Sequence, residues 1–156
     1  MLESIASEIA KTLTDAGIKA VTAFSPYELA DDAPLVCVAL HSAKMTSSGL
    51  GNYIGVCTED GQVKEMYGEK ADIVLALDIY SPADKKEACS ELADAVRCAL
   101  YKTDGLSVTE FSFGAVGYDG GSRMLCSRCS AKAGAYLVRE KLGSSLSGYG
   151  IGEAEV

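Results

Sequence analysis

Histidine is nearly missing from this chain of 156 residues, His41 being the only one. A general base needs an oriented partner and a nucleophile beside it. The sequence has no glycine-flanked serine of the nucleophile-elbow kind, so His41 reads as a hydrogen-bonded residue at the end of an apolar strand. No Gly-Lys-Ser or Gly-Lys-Thr is present, which removes a phosphate-binding loop. Gly49, Gly51 and Gly55 have the wrong spacing for a dinucleotide fingerprint. A hairpin rather than a helix follows them, leaving no helix N-terminus for a pyrophosphate. Positive charge is scarce too: 14 basic against 22 acidic residues give a net charge of −8. Affinity for phosphates comes mainly from Lys and Arg, so a nucleic-acid partner is disfavoured and the acidity reads as a device for solubility. Long apolar runs are missing as well. None approaches the roughly 18 residues of a membrane span, and the start, with Glu3 and Glu8, lacks the pattern of a secretory signal.

What is present suits one compact domain, since 48% of the residues are hydrophobic. The six cysteines mostly fall in apolar strand or helix patterns, as Cys37, Cys89, Cys126 and Cys129 do. In a cytosolic protein such residues are reduced and behave as small hydrophobes. Cys126-Ser127-Arg128-Cys129 is the one pattern with the spacing of a redox pair or half a zinc site. The alternation around it indicates a strand, where residues three apart face opposite ways, and no second such pair exists. No catalytic, cofactor or metal residue is therefore assigned. Asp72 and Asp78, about 20 Å apart at ~3.3 Å per residue, cannot act as a carboxylate pair. Tyr53, Tyr67, Tyr80 and Tyr101 mark element ends, where rings pack at a core edge and hydroxyls stay wet.

Along the chain, Leu2, Ile5, Ala6, Ile9 and Leu13 recur at helical spacing and Gly17 terminates that helix. A strand is expected at Ile18 to Phe24, a polar loop at Ser25 to Pro34, and a central strand at Leu35 to Leu40. Ser47 to Asn52 reads as a mobile glycine-rich loop. Tyr53 to Cys57 and Gln62 to Tyr67 flank an Asp60-Gly61 hairpin signal. Ala71, Ile73, Leu75, Leu77 and Ile79 line one face of the clearest strand. A helix from Pro82 to Tyr101 follows, with Ser81 as N-cap and a stripe of Ala88, Cys89, Leu92, Ala95, Val96, Ala99 and Leu100. Phe111, Phe113 and Ala115 alternate before an Asp119-Gly120-Gly121 turn, and Leu125, Cys129, Ala131 and Ala133 return. The helix is expected to cover Ile73 and Leu75 together with Phe111 or Phe113. The expected fold is α+β: a mixed, largely antiparallel sheet with two main helices packed on it, in one domain over 1–142. Residues 143–156 read as a flexible Gly/Ser-rich tail.

Three stretches together resemble the tail terminator (tail-completion) proteins of long-tailed bacteriophages and prophages. They are "NYIG" with the hairpin ending in "MYG" at Met66 to Gly68, "ADIVLALDIYSP" running into "ACSELADAV", and "GYDGGSRMLCSRCSAKAGAYL". The likeness covers the chain from the first helix to about Arg139. It implies a virion assembly protein, present in the host cytoplasm and then in the tail. Copies would close into a ring, commonly a hexamer, that caps the tail tube protein and joins the head-tail connector. No enzyme activity, cofactor, specific nucleic acid or membrane is implied. The competing reading is a small cytosolic enzyme or ligand-binding domain using Cys126, Cys129 and His41.

Overall fold

The computed structural model describes residues 2–22 and 33–143. In chain order these form α1 (Leu2–Asp15), β1 (Ala20–Val21), β2 (Leu35–Ser47), β3 (Tyr53–Glu59), β4 (Gln62–Pro82), α2 (Lys86–Tyr101), β5 (Leu106–Ser112), β6 (Val116–Asp119) and β7 (Met124–Gly143). The described strands make one seven-stranded sheet in the order β1-β2-β4-β7-β5, with β3 paired to β4 and β6 to β7. The β1–β2 pair is parallel, while β3–β4 and β6–β7 are antiparallel. This is the mixed α+β sheet that the periodicities predict. Most of the Ser25 to Pro34 loop, the end of the expected first strand and the tail from 144 onward lie outside the described residues.

The chain divides into two compact units, 1–43 with 72–134 and 44–71 with 135–156. In the first, β4 sets one face. Ile73, Leu75, Leu77 and Ile79 are at most 1% exposed, beside Val36 and Val38 of β2. Leu13 of α1 and Cys89, Val96 and Leu100 of α2 are buried with them. The alternation forces the intervening residues to the other side, and Asp72 is accordingly exposed. α1 ends as its sequence indicates. Gly17, at φ +87°, bonds back to the Thr14 carbonyl at 3.0 Å, and the Ile18 amide reaches the Leu13 carbonyl at 2.9 Å. This is the paired closure that a left-handed glycine permits.

Several expectations are corrected. The strands at Gln62 to Tyr67 and Ala71 to Ile79 are one 21-residue strand, β4. Gly68 does not break it. Buried in the strand interior, it lets the Leu137 carbonyl come close. Ser81 and Pro82 belong to β4 rather than to the helix start. The turn closes from the Lys85 amide to the Pro82 carbonyl at 2.9 Å, and α2 begins at Lys86 with Lys85 at its cap and no side-chain cap bond. Pro82 has no N–H to extend the ladder and so marks the strand's end. The buried stripe of α2 is narrower than expected: Cys89, Ala93, Val96 and Leu100. Leu92 is half-buried and Ala95 exposed. Phe113, expected under the helix, is 55% exposed and leans on Phe111 with ring centroids 4.9 Å apart.

The Ser47 to Asn52 segment is built rather than loose. Leu50–Asn52 form a 3-10 turn, and the Ser47 hydroxyl lies 2.9 Å from both the Gly49 carbonyl and the Asn52 Oδ1, its one proton shared between these two acceptors. The Ser48 hydroxyl donates to the Gly68 carbonyl at 2.7 Å. Short hydroxyl-to-backbone bonds supply the order that composition alone does not suggest. The hairpin tip is the two residues Asp60 and Gly61, both at positive φ (+53° and +76°), as the Asp-Gly pair requires. No described helix is long and apolar enough to cross a membrane.

Candidate functional site

In the first unit, the sheet face away from the buried aliphatic row of β4 carries its own cluster. Leu35, Tyr80 and Met124 are buried together, with Val21, Cys37 and Cys126 packed against them. Asp78, two residues before Tyr80 and so on the same face, acts on both thiols. Burial, then the Asp78 charge, pushes Cys37 above its ordinary value. Cys126 is raised by burial and Asp78, with the Tyr80 hydroxyl and Arg128 pulling more weakly the other way. The Tyr80 phenol is itself pushed well up, chiefly by burial and then by Cys126. A thiol so placed stays protonated at neutral pH and is a poor nucleophile and a poor metal ligand.

Beside Cys126 lies a cavity of about 250 Å³ lined by Gly114, Ala115, Tyr118, Asp119 and Arg128 among others. Its carboxylate is already engaged. Asp119 Oδ2 accepts the Ser122 hydroxyl at 2.7 Å and the Ser122 amide at 3.3 Å, which holds its pKa below the ordinary carboxylate range. Arg128 is exposed at the rim.

Cys129 points to the other side of β7, 3% exposed, its sulfur 3.5 Å from Ser127 Oγ. The nearby Cys89 sulfur reaches the Ile79 carbonyl at 3.7 Å, and burial raises its pKa, with the Ser81 hydroxyl opposing. That hydroxyl is fully buried and forms no hydrogen bond of regular geometry among the described residues. Cys126 and Cys129 thus stand on opposite faces, and all six cysteines are free thiols. His41 is not at a strand end but exposed part-way along β2, where the strand continues to Ser47. The β2 residue that joins Cys126 is Cys37. Among the described residues no three or more His, Cys, Asp or Glu side chains come together as a metal site.

The Tyr80 cluster was missed by the sequence reading, although its signal was there. Asp78, Tyr80 and Cys126 occupy the off-core positions of two strands whose core positions were assigned correctly. Tyr80, read as a core-edge ring with a wet hydroxyl, is 9% exposed. The three other tyrosines of that set fit better, since Tyr53 and Tyr101 are exposed and Tyr67 is half-buried.

These groups make the protein sensitive to alkali. Cys37, Cys89 and Cys126 rise from 9.0 and Tyr80 from 10.0 on folding. A group raised in the folded state contributes stability that is whole below its unfolded value and is lost as pH climbs through the folded one. Urea midpoints should therefore hold steady up to about pH 8 and fall beyond about pH 9, with Tyr80→Phe flattening the fall. An unchanged slope in Tyr80→Phe would remove Tyr80 from the account.

In the second unit the noteworthy surface is apolar. Tyr53, Val56, Val63, Tyr136, Val138 and Leu142 are each at least 40% exposed, on β3, β4 and β7. Ion pairs of the unit join Lys64 and Lys141 to Glu59 at 3.4 and 3.5 Å, and Arg139 to Glu69 at 3.1 Å. Compared with known proteins, the chain matches no family model and no curated sequence.

Proposed function

We propose that the chain is a structural assembly protein of the tail-terminator type. It closes with copies of itself into a ring, six in the usual form of that family, which caps the phage tail tube and presents its other side to the head connector. The observation that carries the reading is the sheet of the second unit, whose large apolar side chains stand in solvent. A surface of that kind marks contact with another macromolecule. The groups that chemistry would use, by contrast, are dispersed. Cys126 and Cys129 lie on opposite faces, the shifted thiols are held protonated, and His41 stands apart on β2. The net charge of −8 suits a ring through which DNA slides, because an acidic lumen repels phosphate. The order and wording of the three sequence stretches supply the identity of the assembly.

The test adds purified protein to tail tubes lacking their cap and images the tube ends. Capped tubes of uniform length are the expected result. Bare tube ends, together with turnover of a small molecule that depends on Cys126 or His41, would hand the case to the enzyme reading.

A further inference from the structure

The exposed apolar side chains of the second unit share their face with charge of one sign. Tyr53 lies opposite Tyr67, Val56 opposite Glu65, and Val63 opposite Thr58, and cross-strand partners share a side. The Tyr53 and Tyr67 rings meet there, with centroids 5.7 Å apart. Lys64, opposite Cys57, marks the other side. Lys64 and Lys141 both pair with Glu59, and a Cβ on Gly143 would stand 3.3 Å from the Lys64 side chain. Lys141 and Gly143 therefore belong to the Lys64 side, and Tyr136, Val138, Glu140 and Leu142 alternate onto the Tyr53 side. That side carries two carboxylates, Glu65 and Glu140. The Tyr67 hydroxyl donates to Glu65 Oε2 at 2.9 Å, and this bond is the chief cause that pushes the phenol pKa up, with Glu140 adding to it. Lys64, Lys70 and Lys141 count onto the opposite side, and Arg139 is paired with Glu69 at 3.1 Å. On β3, β4 and β7 the exposed apolar face thus holds carboxylates without a cation to balance them.

We infer that this face is the docking surface for a foreign protein whose contact side sets Lys or Arg among apolar side chains. Charge complementarity selects that partner, because like charges across an interface are costly and opposite ones steer encounter. A second copy brings a net charge of −8 and the same two carboxylates. The chain's own residues 144–156 include Glu153 and Glu155 and neither Lys nor Arg, so they bring the wrong sign as well. Nucleic acid and anionic lipid headgroups are repelled for the same reason. A basic polypeptide with apolar side chains satisfies both parts of the face. The apolar part is large enough to hold it: six such side chains about half exposed present roughly 500 Å², the size of patch that marks a contact site on a soluble chain. The inference rests on the assembly reading in taking the partner for another component of the assembly, and it adds the chemistry which that component presents.

The experiment is fluorescence anisotropy of the full chain with short labelled peptides of alternating Val and Lys, Val and Glu, or Ser and Lys. Wild type should bind the Val–Lys peptide about tenfold more tightly than either of the others. Glu65→Gln/Glu140→Gln and Val56→Ser/Val138→Ser should each weaken that binding by about tenfold. Glu87→Gln/Glu91→Gln removes the same charge from the exposed side of α2 and should leave it unchanged. The glutamine at 65 still offers Tyr67 an oxygen, so this variant decides the matter if the serine variant fails to fold. Equal losses in the two glutamine variants would assign the binding to overall acidity and overturn the inference. Equal affinity for the Ser–Lys and Val–Lys peptides overturns it too, as does no binding at all. Wild-type self-association that the serine variant abolishes would put a second copy on the face. Tighter peptide binding by a chain ending at Gly143 would put residues 144–156 there, and either result overturns the inference. The two readings fail separately. Tubes capped equally by wild type and by a Glu65→Gln/Glu140→Gln variant that binds peptide as wild type does sink this inference alone. Selective peptide binding through the face with tubes left bare sinks the tail-terminator function alone.

Discussion

Leu100→Ala should lower unfolding stability by about 2–5 kcal/mol, the loss expected when a fully enclosed leucine leaves a cavity. Leu100 is 0% exposed on α2, in line with Val96 and Ala93. α2 packs against α1 and β5, so the void opens between elements already in contact. Urea titration measures the loss as a lower midpoint with an unchanged slope, and the melting temperature should drop by roughly 2–4 °C per kcal/mol. Leu92→Ala is the control. Leu92 sits on the same helix but is half-buried, and its truncation should cost clearly less. Equal losses at the two positions would mean that α2 is rotated from the orientation described.

Gly68→Ala should cost about 3 kcal/mol, the upper end of the range for forcing atoms into a filled space. The added Cβ would collide with the Leu137 carbonyl and press on Ile54 Cδ1. A carbonyl held in a strand ladder cannot swing aside as the end of a flexible side chain can. The damage is local to the second unit, which contains Gly68, Ile54 and Leu137 alike. Amide hydrogen exchange should therefore show lost protection in β3 and the neighbouring part of β4 while α2 stays protected. Gly117→Ala gives the contrast, because a Cβ there meets nothing within 4 Å and should change stability by less than about 0.5 kcal/mol. Two strand glycines with the same sequence appearance thus differ entirely in tolerance.

The positions the sequence located well are those where a single period decides. The odd-numbered residues from Ala71 to Ile79 and Ala6, Ile9 and Leu13 of α1 bury as their patterns dictate, and Gly17 and Asp60-Gly61 take the backbone conformations their side chains permit. Failures occur where tertiary contact overrides a local signal. Gly68 looks like a strand end until a neighbouring backbone needs its missing Cβ. Ser81 and Pro82 look like a helix start, yet strand pairing claims both. Ser47 and Ser48 look like loop filler, but their hydroxyls tie down the 3-10 turn. The exposed face of the second unit was illegible for a related reason. Val56, Val63, Val138 and Leu142 have the alternation of buried strands, and only the fold shows that they stand exposed.

The central place of β4 also has a consequence for synthesis. One edge of β4 is met by β2 and β3, both made before it or beside it in the chain, but the other waits for β7, which begins at Met124. At 5–20 residues per second the intervening stretch from Pro82 takes roughly 2–8 s to emerge. Through that interval a long aliphatic strand hangs from the ribosome with a row of unpaired backbone groups along one side, open to any other nascent strand. α2 is the first element made after β4, and its buried stripe can shield the aliphatic face long before the open edge is paired. Translation speed through residues 83–123 therefore sets how long each new chain is exposed to wrong pairing.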